Sequence, residues 1–227
     1  MGPAVHMSII VPVLNEAAGI GAALQALASL RASGHEVIVV DGGSADATVA
    51  LAAAGADRVF AGPRGRARQM NAGAALARGD VLLFLHADTV LPGAADTAIE
   101  RAVAAGARWG RFDVRISGGA ALFPVIAALM NLRSRLSGIA TGDQALFVQR
   151  SLFIQRGGYA DQPLMEDIEL SRRLRALSPP ACLRQRVQTS GRRWQQRGVW
   201  RTVWLMWRLR WRYWRGASPE ALARAYR

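Results

Sequence analysis

The chain has 227 residues, 51% of them hydrophobic, a length and composition that suit one α/β unit with a substantial core. Its one cysteine, Cys182, excludes an internal disulfide, and an unpaired cysteine is more typical of a core thiol than of a nucleophile. The net charge of +13 is confined to residues 170–219, which hold 13 arginines and no acid, whereas the remainder holds 16 of each sign. The rest of the chain is therefore electrically balanced.

The N-terminus and the apolar segments bear on membrane topology. Residues 1–6 show neither a basic region nor an apolar run, so no secretory signal is predicted and the functional site is expected to face the cytoplasm. The apolar stretch 120–130 contains Pro124 and is too short to cross a bilayer, and arginines interrupt the apolar C-terminal stretch 199–215. No transmembrane helix is predicted.

Three apolar segments that favour β structure each end in polar or acidic side chains. They are residues 8–14, followed by Asn15 and Glu16; residues 36–40, followed by Asp41; and residues 81–85, followed by His86, Ala87 and Asp88. Segments with helical spacing, such as 17–31, lie between them, which predicts alternating strands and helices and a parallel sheet. Acids at its carboxyl edge indicate a divalent cation that completes its coordination with diphosphate oxygens. The alternative is that Asp88 only caps the helix that follows.

Four motifs follow one another along the chain: residues 11–16 (VPVLNE), 39–48 (VVDGGSADAT), the strand that ends at Asp88, and 165–170 (MEDIEL). In this order and spacing they resemble the motifs of the family 2 glycosyltransferases. Two further segments resemble a small bacterial subgroup of these enzymes: residues 64–73 (RGRARQMNAG) and 189–194 (TSGRRW). The resemblance covers residues 7–205, and its strength lies in the order and spacing of motifs that are each weakly specific.

The resemblance implies the GT-A fold, an α/β architecture with a Rossmann-like, mostly parallel sheet flanked by helices. It also implies an inverting enzyme that moves a sugar from a nucleotide-diphospho-sugar to an acceptor hydroxyl. We predict one catalytic domain over residues 7–190, divided into a nucleotide-sugar half, 7–117, and an acceptor half, 118–190. A basic helical segment, 191–227, follows it.

The same resemblance implies a set of donor-binding residues. Glu16 and Asp41 would contact the base and ribose, Arg66 would help to hold the donor, and Pro12 and Asn15 belong to the same donor motif. These roles agree with elementary chemistry. Carboxylates accept hydrogen bonds from base N–H and ribose hydroxyl groups, and a guanidinium pairs with the negative charge of a phosphate. The alternatives are helix capping near Asn15 and simple solvent exposure of Arg66.

The metal motif departs from the family pattern. Where the family has Asp-X-Asp, this chain has His86-Ala87-Asp88, so the first acid is an imidazole and the second, the customary direct ligand, remains. The implied cofactor is Mn²⁺ or Mg²⁺, with Asp88 as ligand. His86 either ligates the metal or donates a hydrogen bond to a ribose or phosphate; the alternative is a structural histidine at a strand end.

The resemblance places the catalytic base at Asp167, beside Glu166, at the start of a helix predicted over residues 167–177. The charge of Glu166 would raise the pKa of the base. The alternative is that both acids only complement the N-terminus of that helix. Gly142 and Asp143 resemble the acceptor-side loop, where a glycine would allow close approach of the substrate.

The basic C-terminal segment has a helical tryptophan pattern. The tryptophans are Trp200, Trp204, Trp207, Trp211 and Trp214, and the arginines beside them are Arg201, Arg208, Arg212 and Arg215. The spacing of 4, 3, 4 and 3 predicts an amphipathic helix with one indole stripe. Indoles and arginines suit an anionic membrane surface, so we expect a peripheral protein on the inner face of the cell membrane, a position that suits a lipid-linked acceptor. Packing of the stripe on the protein itself is the main alternative, and no nucleic-acid partner is expected.

Two other classes of function were weighed. A sugar nucleotidyltransferase would also need acids and a metal, but it usually carries a Gly-rich basic loop after the first strand, and residues 12–18 contain none. A non-catalytic adaptor that binds membrane or RNA would explain the C-terminal segment but would leave Asp41, Asp88 and Asp167 without a purpose.

Overall fold

The computed structural model describes residues 5–226, apart from the side chain at position 193. One sheet of eight strands forms its centre, in the order β3-β2-β1-β4-β7-β6-β8-β5. The strands are β1 Met7–Val13, β2 Glu36–Asp41, β3 Arg58–Ala61, β4 Val81–Phe84, β5 Thr89–Val90, β6 Trp109–Ser117, β7 Phe147–Gln149 and β8 Ala181–Ser190. The helices are α1 Ile20–Gln25, α2 Ala28–Ala32, α3 Thr48–Ala53, α4 Arg66–Leu76, α5 Ala95–Ala104, α6 Phe123–Ser137, α7 Arg150–Gln155, α8 Glu166–Arg175, α9 Arg192–Arg197, α10 Val199–Trp214 and α11 Pro219–Tyr226, with a 3-10 turn at Gly142–Gln144.

The first half of the sheet is parallel, as predicted. Strand β1 lies between β2 and β4, parallel to both, and β2 pairs with β3 in the same sense. These strands are runs of buried branched residues, which suit a sheet covered on both faces. Their carboxyl ends therefore meet at one edge, where the polar side chains that follow β1, β2 and β4 emerge.

The second half of the sheet is mixed. Strand β7 runs antiparallel to both β4 and β6, β5 runs antiparallel to β8, and β6 and β8 pair in parallel. The hydrophobic core lies on both faces of the sheet, with alternate residues of a strand facing opposite sides: Ile9 and Val11 pack in one cluster, Ile10 in the other.

Several elements differ from their predicted bounds. The helical pattern of residues 17–31 forms two short helices, α1 and α2, and the helix predicted over 167–177 is α8, Glu166–Arg175. Strands β3, β6 and β8 were not predicted from the sequence, because charged residues interrupt their apolar pattern. In β6, for example, Arg111 is fully buried beside Asp113, an ion pair that no hydrophobic pattern reveals.

The apolar stretch 120–130 contributes to α6, and Pro124 lies in its first turn, where a missing N–H costs nothing. None of the helices within residues 5–226 has the length and apolar composition that a membrane crossing requires. The prediction about a secretory signal concerns residues 1–6, of which 1–4 lie outside the described residues.

The C-terminal helices pack on the rest of the protein. Leu209 of α10 and Leu222 of α11 are fully buried and form a small cluster with Met165, the residue that precedes α8. Met165 has a positive φ of 65°, which turns the chain into α8. Helix α10 is thereby held beside the start of α8, where Glu166 and Asp167 lie.

Candidate active site

A cavity of about 890 Å³ opens at the carboxyl edge of the sheet. It brings together nine of the site residues predicted from the sequence. They are Pro12, Glu16, Arg66, His86, Asp88, Gly142, Asp143, Glu166 and Asp167. Because these residues come from five separate segments of the chain, their convergence is a property of the fold. Asn15 and Asp41 are not among the residues that line the cavity.

Asn15 and Asp41 tie two loops together behind the cavity. The buried Asp41 carboxylate accepts from the N–H groups of Gly43 (3.0 Å) and Ser44 (3.0 Å) and from the Ser44 hydroxyl. The Asn15 side-chain oxygen accepts from Ala45 N–H (2.8 Å), and the backbone N–H of Asn15 donates to Ser44 Oγ (2.8 Å). The alternative role for Asn15, capping the helix that follows, is not observed, because α1 has no side-chain cap. The same hydrogen bonds hold Asn15 at a φ of 55°, so that the chain turns into Glu16.

Two acids crowd the donor side of the cavity. The pKa of Glu16 is raised by burial first and then by the negative charge of Asp88. The charge of Arg192, at the start of α9, opposes this rise. The backbone N–H of Glu16 donates to Thr48 Oγ1 (2.8 Å), which fixes the loop after β1. The negative charge of Asp88 makes ionisation of Glu16 less favourable, so a positive charge bound beside the two carboxylates would be stabilised.

His86 is held by the acceptor-side loop. Its Nδ1 lies 3.7 Å from Asp143 Oδ1. A Cβ added at Gly142 would lie 2.4 Å from His86 Cε1, so the absence of a side chain at Gly142 makes room for the imidazole. His86 occupies the space that a side chain at position 142 would need, and close approach of substrate to Gly142 stays a prediction. Asp143, expected to contact the acceptor, faces the same imidazole.

The candidate metal ligands of the cavity are Asp88 and His86. The described part of the chain contains no group of three or more His, Cys, Asp or Glu side chains arranged to hold an ion without help. Asp88 is an exposed carboxylate in the cavity, and His86 lies in the same wall. One carboxylate and one imidazole fit Mn²⁺ or Mg²⁺ if substrate phosphate oxygens supply most of the other ligands.

Asp167 and Glu166 begin α8 and differ in their surroundings. Gly142 N–H donates to Asp167 Oδ2 (2.8 Å), and Ile168 N–H donates to Oδ1 (2.7 Å), so two backbone donors fix the carboxylate. Glu166 is buried, and its Oε1 lies 3.5 Å from Arg66 Nη1. Burial raises the pKa of Glu166, the charge of Asp167 adds to the effect, and Arg66 opposes it. The pair thus combines an oriented carboxylate with a buried acid that positions a guanidinium.

The sequence alone did not reveal the wall of the cavity that helices α6 and α10 form. Arg133 from α6 and Arg210 from α10 line it, and the Nε and Nη2 atoms of Arg133 are buried without a hydrogen-bond partner in residues 5–226. No local motif marks either arginine, since each stands among other arginines of a helix. The segment 189–194, noted only as a resemblance, is located here too: Ser190 N–H donates to the carbonyl of Asp88 (3.2 Å).

The tryptophan stripe of α10 faces outward. Its five indoles are Trp200, Trp204, Trp207, Trp211 and Trp214, with exposed fractions between 57% and 75%. The guanidinium carbons of Arg208 and Arg215 lie 5.1 Å and 5.3 Å from the ring centres of Trp204 and Trp211. The alternative that the stripe packs on the protein itself is therefore wrong, because α10 packs through residues such as Leu209 instead.

Comparison with solved structures shows the fold. TarS 1-349 of S. aureus superposes with a TM-score of 0.68 at 16% identity, over 82% of this chain and 60% of that chain. The mannosyltransferase PcManGT from Pyrobaculum calidifontis, in complex with GDP-Man and Mn²⁺, gives 0.66 at 17% identity, over 99% of this chain and 70% of that chain. Glucosyl-3-phosphoglycerate synthase from Mycobacterium tuberculosis, in complex with phosphoglyceric acid, gives 0.59 at 21% identity, over 82% and 71%. The predicted GT-A architecture is confirmed, and the chain spans 60% of the length of the TarS chain.

Comparison of sequences shows the family. No curated protein matches the chain significantly. The family model described as glycosyl transferase family 2 matches residues 8–143, a range that includes the strand ends, the donor-side acids and the turn at Gly142. Because this match covers more than half of the chain, the protein belongs to glycosyl transferase family 2.

Proposed function

We propose that this protein transfers a sugar from a nucleotide-diphospho-sugar to an acceptor hydroxyl, with inversion at the anomeric carbon. The observation that carries the proposal is the convergence of Glu16, Arg66, Asp88 and Asp167 on one cavity. The structural neighbours support a donor of this class, since TarS was solved with UDP-GlcNAc and PcManGT with GDP-Man and Mn²⁺.

On the donor side, Glu16 accepts from a base N–H or a ribose hydroxyl, and Arg66 lies against the diphosphate. The Arg66 side chain is about half exposed to the cavity, with 47% of its surface accessible, so it can reach a ligand while Glu166 holds it from behind. Pro12 lines the same wall. Asp41 reaches a nucleotide only through lone pairs that its turn leaves unused, whereas Asn15 acts by fixing the loop that carries Glu16.

Asp88, with His86 beside it, would hold a Mn²⁺ or Mg²⁺ ion together with the donor phosphates. When bound, such an ion supplies positive charge to the leaving diphosphate. Asp88 and Glu16 already crowd negative charge at this place, which is consistent with a cation there. Asp143 faces the Nδ1 side of His86 and so orients the ring, and Gly142 leaves space for it.

On the acceptor side, Asp167 removes the proton of the acceptor hydroxyl while the nucleoside diphosphate leaves from the opposite face of the sugar. Its two backbone donors keep the carboxylate in one orientation and leave lone pairs on both oxygens. A single displacement inverts the anomeric carbon. Glu166 takes a positioning role, because it is buried against Arg66 and so connects the base to the donor side.

The protein is further proposed to act as a peripheral protein on the cytoplasmic face of an anionic membrane. The exposed indoles of α10 supply apolar surface at the depth of the headgroups, and the neighbouring arginines supply long-range attraction to acidic lipid. Since α10 also lines the cavity, membrane contact would bring the acceptor side of the site close to the bilayer. This position suits an acceptor carried on a lipid.

A thermal-shift screen of UDP-, GDP- and dTDP-sugars, each with and without Mn²⁺, tests the proposed function. A ligand that binds only the folded state raises the unfolding temperature, so at least one donor is expected to do so, and more strongly with Mn²⁺. Asp88→Ala is the control that should remove the Mn²⁺-dependent part. A folded protein that responds to none of these nucleotides would contradict the proposal.

A further inference from the structure

Two helices, α6 and α10, build a second wall of the cavity, and its composition is unusual. Helix α6 contributes Leu129, Leu132 and Leu136, which line the cavity and are each more than half exposed. Helix α10 contributes Met206 and the exposed indole of Trp207 to the same wall. Exposed leucines beside an exposed indole form an apolar surface that continues from the cavity to the outside of the protein.

The same two helices bring two guanidinium groups to this cavity, from Arg133 of α6 and Arg210 of α10. Arg133 and Arg210 both line the cavity, and two nitrogens of Arg133 are shielded from water without a hydrogen-bond partner in the described chain. Burial lowers the pKa of Arg133 to about 10, and the positive charge of Arg210, which lines the same cavity, contributes to the lowering. Burial also lowers the pKa of Arg210.

Such a pair is unfavourable until an anion lies between its members. Like charges repel, and a buried donor without a partner loses its hydration and gains nothing in return. The charges of Asp143 and Asp167 oppose the lowering of the Arg133 pKa. Both are already in use, Asp143 against His86 and Asp167 against two backbone donors. Neither acid accepts a hydrogen bond from Arg133 Nε or Nη2, so both donors stay unmet in the described chain.

We propose that Arg133 and Arg210 form a subsite for the phosphate ester of an acceptor that carries an apolar chain. In this arrangement the phosphate lies between the two guanidiniums, the chain leaves along the leucines of α6 and the indole of Trp207, and the acceptor hydroxyl faces Asp167. The inference rests on the proposed function and names the acceptor class of the same cavity. Guanidinium groups suit this ligand because their forked donors match phosphate oxygens.

Calorimetric titration without any donor tests the subsite. The probes are octyl phosphate below its micellar concentration, glycerol phosphate, which lacks the chain, and octanol, which lacks the charge. Octyl phosphate should bind the wild-type protein more tightly than either of the others. Arg133→Met and Arg210→Gln should each weaken its binding by roughly tenfold or more, the usual effect of losing a charged hydrogen bond. Arg101→Gln, which removes an exposed arginine of α5 outside the cavity, is the matched control and should bind like the wild type.

A second measurement separates binding from a structural role. Arg133→Met replaces an unpartnered buried cation with an apolar side chain of similar length, so its unfolding temperature should equal or exceed that of the wild type. A structural arginine would show the opposite, a lower unfolding temperature. In that case Arg210→Gln, a variant at an independent position, decides the question: retained binding of octyl phosphate by this variant overturns the subsite.

The remaining outcomes are equally decisive. Equal binding of octyl phosphate by Arg133→Met, Arg210→Gln and the Arg101→Gln control would overturn the proposal. If glycerol phosphate binds as tightly as octyl phosphate, the apolar wall takes no part and a lipid-like acceptor is wrong. If the variants lose the thermal shift given by a nucleotide-sugar, the arginines serve the donor instead. Failure of the wild type to bind any nucleotide would contradict the proposed function, and the phosphate titration would still report on the subsite.

Discussion

The two walls of the cavity are built on different principles. On the acidic wall, the backbone orients the key carboxylate: Gly142 and Ile168 donate to Asp167, while Gly43 and Ser44 hold Asp41 behind the wall. On the helical wall, α6 and α10 present leucines, an indole and two arginines, and Arg133 has buried nitrogens with no partner in the described chain. The first wall is held by backbone hydrogen bonds, whereas the second carries unmet donors, which the proposed acceptor subsite would use.

This difference suits two different roles, catalysis on the acidic wall and substrate recognition on the helical wall. A catalytic carboxylate must hold one orientation before substrate arrives, and backbone donors at a helix start provide that at no cost in reorganisation. A recognition surface can leave donors unmet if the ligand satisfies them on binding. We therefore expect substitutions on the acidic wall to change turnover or metal dependence, and substitutions on the helical wall and its outer face to change where and what the protein binds.

The largest effect is expected from Asp167→Asn, which removes the proposed catalytic base from the acidic wall. The amide oxygen still accepts from a backbone donor but cannot take a proton, so transfer should fall by roughly 10²-fold or more with donor affinity little changed. Transfer is followed as release of nucleoside diphosphate, and affinity by thermal shift. Wild-type turnover of the Asn variant would remove Asp167 from the role of base.

Asp88→Ala should come next. Removal of the exposed carboxylate is expected to abolish the metal-dependent part of donor binding, whereas His86→Asp, which restores two acids, should retain or tighten it. Calorimetry with Mn²⁺ and with a chelator measures both. Donor binding that is indifferent to the chelator and to Asp88→Ala would show that no metal takes part.

The outer face of the helical wall is tested by replacing Trp204, Trp207 and Trp211 with Ala together. Because all three indoles are more than half exposed, the variant should stay folded, with a stability change below about 1 kcal/mol. It should nevertheless be released from acidic liposomes in a sedimentation assay, and binding of the wild type should weaken as salt is raised. Val49→Ala with Leu51→Ala, two exposed apolar residues of α3, is the control that should remain bound. A triple variant that stays both folded and bound would refute the membrane proposal.

The smallest effect is expected from Glu166→Gln. The test is whether the stability of the variant relative to the wild type rises or falls with pH. Burial and the charge of Asp167 raise the pKa of Glu166 above its ordinary value of 4.5, so the folded protein holds this proton more tightly than the unfolded chain. The resulting stabilisation is present below pH 4.5 and is lost as the pH rises through the raised pKa. The Gln variant cannot ionise, so its stability relative to the wild type should increase with pH across that window in denaturant titrations. A difference that is constant with pH would contradict the raised pKa.

Much of the acidic wall could be predicted from the sequence. Glu16 and Asp88 directly follow buried strands, and the ends of parallel strands share one edge, so a linear pattern already indicates a shared site. The same argument predicts that Asp41 lies in the site. In the structure its carboxylate accepts hydrogen bonds from the N–H groups of Gly43 and Ser44. Nothing in the linear pattern distinguishes an acid that faces a ligand from one that closes its own turn.

The sequence by itself determined the α/β class, the parallel first half of the sheet, the family and the indole stripe of α10, because each depends on neighbouring residues or a short period. Only the tertiary structure decided that Gly142 accommodates His86 and that Arg133 and Arg210 share one cavity. Both relations connect residues that are far apart in the chain. They depend on the packing of Leu209 and Leu222 against Met165, and on the pairing of β7 with β4. Packing between distant segments follows from how side chains fill space together, and no local pattern of residues encodes it.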